Sequence, residues 1–320
     1  MKKKLIYNLN KIPIVIFALM LCLVILSYIQ YFNDYYPKEL FKTYDEIKEN
    51  CLSDNFDEID ICRAFGNNKE LVNEYLLNEN PYENIKSLDA ITLTSEILRN
   101  TIFFIMQPLS ALLIIISVVG RNHKEFKSGM IKNVLMRESY KKYIIDKIKS
   151  IAKISLFTPL ILIIIFIISC CITKFNFTPN ISKIQETFSY FEWKYSNYLL
   201  YGFIVCLVQY LLSFSYGIIG MLSFLKNKNS IVSIIISYIL VIVLTLFVYL
   251  VVGVYILGGI FNLNVAADMN IFGYWYFYEN TNYIIVVMTA LVIFLSLLSY
   301  LCFYTRNKER VVLENEKQVV

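Results

Sequence analysis

Only one histidine, His123, and no Cys-x-x-Cys pair occur in this chain of 320 residues. A histidine-ligated zinc protease, which needs paired histidines, is therefore not expected. The ten glycines are scattered, and none opens a GxxxxGK[S/T] loop, so the chain has no P-loop for ATP. The GxSxG turn that exposes a nucleophilic serine is also missing. Asp54, Asp57, Glu58 and Asp60 cluster, but without the glycine and terminal glutamate of a calcium loop. We expect no catalytic residue, no metal and no cofactor, and hence no enzyme in this chain by itself. Charge is scarce as well, at 17% of residues.

What the chain has is apolar length. Hydrophobic residues make up 57% of it and the mean hydropathy is +0.56, values that would aggregate a soluble domain of this size. A bilayer core about 30 Å thick needs roughly 20 apolar residues as a helix. Six runs reach that length: 12–32, 101–120, 154–173, 198–225, 231–260 and 283–304. In lipid the backbone must satisfy itself, so these runs are predicted as helices. The first follows Lys2, Lys3, Lys4 and Lys11, but it is too long for a cleaved signal and lacks a small-residue cleavage site. It reads as a retained anchor.

Twenty of the thirty Lys and Arg residues fall in one alternate set of connecting segments, ten of them in residues 121–153. Basic loops stay on the cytoplasmic side. The expected fold is an all-α integral membrane protein with six transmembrane helices and both termini cytoplasmic. Residues 1–11 form the inner N-terminal segment, 33–100 an extracellular acidic cap, 101–304 the remaining helices, and 305–320 the inner tail.

The cap carries fifteen carboxylates against seven basic residues. Residues 70–77 and 85–98 have helical spacing, with Leu71, Tyr75, Leu88, Ile91, Ile97 and Leu98 as the expected buried face. Cys51 and Cys62 both lie in this segment, where a disulfide can persist; the alternative is two free thiols. The other five cysteines sit in or beside the spans and behave as small apolar residues.

No Asp, Glu, Lys, Arg or His lies within the six runs, which removes the usual signature of an ion-coupled carrier. Gln107 and Gln209 are the candidate substrate path, with hydrogen bonding to a neighbouring helix as the alternative. Gly202, Gly217 and Gly220 offer close helix approach, to a second protomer among others. Phe272, Tyr274, Trp275, Tyr276, Phe277 and Tyr278 form an aromatic cluster suited to the membrane interface.

Between the second and third runs, Phe126, Met130, Ile131, Val134 and Leu135 make an apolar stripe opposite Lys124, Lys127 and Lys132. That pattern predicts an amphipathic helix at the inner surface. An anchor on anionic headgroups has the same form. The residue order is more specific. Glu125-Phe126, then Ser128-Gly129-Met130-Ile131-Lys132-Asn133-Val134-Leu135, then Arg137, Ser139, Lys141-Lys142-Tyr143-Ile144 and Lys147 resembles the first cytoplasmic loop of the type 2 ATP-binding-cassette permeases. Met130 stands where that family usually has Thr, and Glu138 and Tyr140 interrupt its basic turn. The detailed likeness covers about 30 residues.

The resemblance implies a permease that pairs as a homodimer or heterodimer and docks on separate ATPase subunits through this loop. Glu125, Phe126, Gly129, Ile131 and Lys132 would then be the ATPase-coupling residues, and 1–11 would lie along the inner membrane face. Short re-entrant helices between the fifth and sixth spans, and the large outer loop of some bacterial members, also fit the family. The richness in Ile, Lys, Asn and Tyr suggests an AT-rich bacterium. The expected function is the membrane subunit of an ATP-driven exporter of an amphipathic or hydrophobic compound, such as a peptide, lipid or drug-like molecule, in the bacterial plasma membrane. Expected partners are the ATPase, a second protomer and lipid, and no nucleic acid. The alternative is a non-transporting receptor, sensor or peptide-immunity protein that uses the cap.

Overall fold

The computed structural model describes residues 12–51, 69–78, 80–100, 102–128, 130–177, 197–227, 229–271, 274 and 283–306. All regular structure among them is helical, and six helices are long and apolar enough to cross a membrane. The chain is thus a multi-pass membrane protein by helix length and composition. The described elements are α1 (Ile12–Tyr35), α2 (Lys38–Asn50), α3 (Lys69–Asn78), α4 (Pro81–Lys86), α5 (Ala90–Arg99), α6 (Phe103–Lys127), α7 (Met130–Arg137), α8 (Tyr140–Ser155), α9 (Phe157–Ile172), α10 (Tyr198–Asn227), α11 (Ser230–Leu246), and α12 (Tyr283–Tyr304). A π-helix, Phe247–Ile260, continues α11, and a single 3-10 turn follows at Ala267–Met269.

The chain divides into two compact units: residues 1–23, 98–164 and 196–320 in the first, and 24–97 with 165–195 in the second. In the first unit α10 is the central helix, buried along most of its length from Val205 to Phe224. Glycine placement explains how closely its neighbours approach. A Cβ at Gly217 would run into the Ile151 side chain of α8, and one at Gly220 would stand 3.6 Å from the Ile115 backbone of α6. Both glycines are thus used inside the chain rather than kept for a partner. Gly202 has nothing within 4 Å and remains open.

The third span is longer than its apolar run predicts. Helix continues from Tyr140 to Ile172 with one interruption at Leu156. Pro159 causes that break, because it has no N–H to give the Ser155 carbonyl four residues back. Similarly, α6 runs seven residues past its expected end at Gly120, to Lys127. At about 1.5 Å per residue, α8 and α9 together extend some 20 Å beyond the hydrocarbon thickness.

Two local expectations are overturned. The stripe from Phe126 to Leu135 does not lie on one helix, because α6 ends at the Ser128 cap and α7 starts at Met130. The Ser128 hydroxyl donates to the Glu125 carbonyl at 3.1 Å, a local bond that competes with helix continuation. Nor is Tyr274 an interfacial aromatic: it is fully buried, while Phe272 and 275–278 lie outside the described residues. Between the fifth and sixth spans the described structure is the 3-10 turn at Ala267–Met269, seated against Gly253, where a Cβ would meet Met269 Cβ at 3.0 Å.

The polar side chains of the fifth span mostly bond to their own backbone: Ser237 donates to the Ser233 carbonyl at 2.6 Å and Thr245 to the Val241 carbonyl at 2.9 Å.

In the second unit, Tyr44, Ile47 and Cys51 of α2 and its cap pack on Val72 and Leu76 of α3. Their spacing of three and four residues puts each set on one helix face. The expected face of α3 is off by one position. Leu71 is exposed and Tyr75 only partly buried, because α2 lies against Val72 and Leu76. Tyr44 closes this core by donating to the Leu76 carbonyl at 3.0 Å. Asp89 caps α5, accepting from the Ile91 and Thr92 amides at 2.9 and 2.8 Å. Ile91, Ile97 and Leu98 are buried as expected; Leu88 is half-buried. Cys51 is disulfide-bonded and fully buried; Cys62 lies outside the described residues, and Cys22, Cys170, Cys171, Cys206 and Cys302 are free thiols. Tyr82 donates to the Asp45 carboxylate at 2.7 Å, and that bond, with the repulsion of a second negative charge, raises its phenol above the ordinary range.

Candidate functional site

The end of α6 and the first turns of α8 form a polar cluster in the first unit. Arg121, Asn122 and Glu125 occupy one face of α6, and Tyr143, Lys147 and Ser150 the facing side of α8. Lys147 is buried and donates to both the Glu125 carboxylate and the Asn122 side-chain oxygen, the latter at 2.8 Å. Arg121 donates to the other Glu125 oxygen at 3.3 Å and to Ser150 Oγ at 2.5 Å. The Lys147 ammonium also lies 5.3 Å from the Tyr143 ring centre. Two cations thus share one carboxylate, and the nearby ring and amide oxygen complete the cage.

Phe126 faces inward from the same turn. Its ring meets Phe224 of α10 edge-on at 6.2 Å, as does the His123 ring. The acidic-aromatic pair singled out in the sequence is therefore a brace joining α6 to α8 and α10. Gly129 lies outside the described residues, as do the side chains of Ile131 and Lys132. Beyond the brace stands α7, where Val134 and Leu135 are half-buried and Met136 is 77% exposed. The following turn is tied down by the Ser139 cap on α8 and by Tyr140, which donates to the Thr305 carbonyl at 2.8 Å. Residues 1–11 and 307–320 are outside the described residues.

The two glutamines lie in a second, wholly buried cluster. Gln107 donates to the Tyr216 hydroxyl at 2.6 Å, and Gln209 to the Tyr274 carbonyl at 2.9 Å. Tyr216 and Gln209 are seven residues apart on α10 and so share a face. Tyr274 in turn donates to the Asp268 carbonyl at 2.9 Å; burial pushes its phenol far up, so it stays protonated. Both glutamine side-chain oxygens are buried without a hydrogen-bond partner. The glutamines hold helix and loop together through their amide nitrogens, as the interhelical alternative anticipates.

Sequence reasoning placed Lys147 among the basic residues of the loop without its pairing to Glu125, and it missed Asn122 and Tyr216. The spacing of Arg121 and Glu125 by four residues on an extended α6 is the one signal that marks the brace in the sequence.

No protein-family model, curated protein or solved structure matches the chain. The permease resemblance rests on the residues of the 121–153 segment.

Proposed function

We propose that this chain is the membrane-spanning subunit of an ATP-driven exporter of an amphipathic or hydrophobic compound, acting with a separate ATPase and a second protomer. In this reading both termini and the α6–α8 turn face the cytoplasm of a bacterium, and the acidic cap faces outward. The observation that supports it is the position of α7, a short helix with an exposed apolar residue carried on two helices that extend past their apolar runs. The Lys147–Glu125–Arg121 brace makes that pair a stiff lever, so a push on α7 reaches α10 through Ile151 and Phe224. With no nucleotide loop in the chain, the push has to come from another protein.

Purification of the full chain from its native membrane tests this. The expected result is co-elution of an ATPase with Walker motifs, lost in Met136→Glu, whose exposed position spares the fold. If no ATPase accompanies the native chain and its outer segment instead retains a peptide, the exporter is replaced by the receptor reading.

A further inference from the structure

We propose that the basic end of the bundle holds one anionic phospholipid between α10, α11 and α12. A cavity of about 330 Å³ lies there, within the range of small-molecule sites. Leu222, Leu240, Leu244 and Leu297 wall it with hydrocarbon, and Ser223, Lys226, Asn227 and Tyr300 close one end. The wall residues recur at helical spacing, Leu240 and Leu244 four apart on α11, so the groove runs along the helices as an acyl chain would.

The mouth sets the sign of the headgroup. The Lys226 ammonium lies 5.7 and 5.8 Å from the ring centres of Tyr300 and Tyr304, and donates to Tyr300 Oη at 3.4 Å. Those contacts hold the cation beside the cavity without neutralising it, and no carboxylate among the described residues is within ion-pair distance of it. Lys226 lies in the last turn of α10, at the same end of the first unit where α6 ends at Lys127 and Tyr140 meets Thr305. A phosphate on the mouth with its chain in the groove satisfies both halves of the site. A zwitterionic lipid would bring its own cation up to Lys226, and a free phosphate would leave the groove unfilled.

This inference does not rest on the exporter reading. The test is native mass spectrometry of the full chain, titrated with phosphatidylglycerol, phosphatidylcholine or water-soluble glycerol phosphate. One phosphatidylglycerol per chain should be retained, with phosphatidylcholine about fivefold weaker or more and glycerol phosphate unable to displace it. Lys226→Gln should cost about fivefold and Lys226→Arg should restore binding, while Lys149→Gln, an exposed lysine of the same basic end, should change nothing. Leu244→Trp, which fills the groove, should lower binding of every phospholipid at this site. Equal retention of the two lipids, or Lys226→Gln and Leu244→Trp both within twofold of the native chain, would overturn the proposal. Equal losses in Lys226→Gln and Lys149→Gln would also overturn it, since they would mark diffuse attraction to a basic surface.

Discussion

Lys147 on α8 reaches across to Glu125 on α6, and the pair is largely removed from solvent, with side-chain exposures of 9% and 23%. Neither residue stands in an apolar run, yet together they decide how the ends of two spans are held. An ammonium left buried without its carboxylate is far more costly than the pair is stabilising. Lys147→Met, which removes the charge, should therefore be tolerated better than Glu125→Leu, which strands it. We expect Glu125→Leu to lose about 3 kcal/mol of stability, read by thermal unfolding in detergent with a calibrating denaturant series. Lys147→Met added to Glu125→Leu should recover much of that loss. Equal stability of the single and double variants would show that the brace carries no load.

Gly217 sets the distance between α8 and α10. Gly217→Ala should destabilise the chain by about 1–3 kcal/mol through overpacking against Ile151, and Ile151→Ala should partly rescue it. Gly202→Ala, facing open space, should be neutral or slightly stabilising, since alanine is the better helix former. Reversal of that order in thermal unfolding would place the α8–α10 contact elsewhere.

Gln209→Leu should leave the Tyr274 carbonyl buried and unpaired, at about 1–3 kcal/mol. The local signature is faster amide exchange around Ala267–Met269 and Tyr274, with α6 unaffected. If exchange there is unchanged, Gln209 is not what fixes the loop, and its orphaned oxygen becomes the more interesting end of the side chain.

Cys51 pairs with Cys62 in our reading. Both should resist a membrane-impermeant maleimide on intact cells and label after reduction. Cys51→Ser, which also puts a hydroxyl into the core formed with Val72 and Leu76, should loosen the second unit by at least the roughly 3 kcal/mol of a short disulfide loop. Full labelling without reductant would remove the bridge.

The membrane helices are legible in the sequence because lipid imposes a length and a composition that no other fold needs. The run predicted at 283–304 coincides with α12, and that at 198–225 falls two residues short of α10. The extensions past the apolar runs are not legible in the same way. Residues 121–127 and 140–153 are polar, and hydropathy stops where the apolar run stops; what continues the helix is packing of Lys147 and Ile151 against α6 and α10. The same limit moved the α3 face from Leu71 to Val72. Both positions are apolar, and the choice belongs to α2, a partner that periodicity within α3 cannot reveal. The glutamines were found because an amide in an apolar run is conspicuous. Tyr216 was not, because a tyrosine there looks like any other aromatic.

The fifth span is fastened differently from its neighbours. The hydroxyls of Ser237 and Thr245 are turned back on their own turns, and among the described residues its one side-chain hydrogen bond to another helix is from Ser233 to the Ser223 carbonyl, at 3.4 Å. Over the rest of its length it is kept in place by shape alone. Helices held by hydrogen bonds have discrete seats and resist leaving them, whereas one held by van der Waals contact meets a smoother resistance. In mechanical terms α6, α8 and α10 are bolted to one another and this helix is a sliding panel, whose parting from them would exchange little more than one hydrocarbon surface for another.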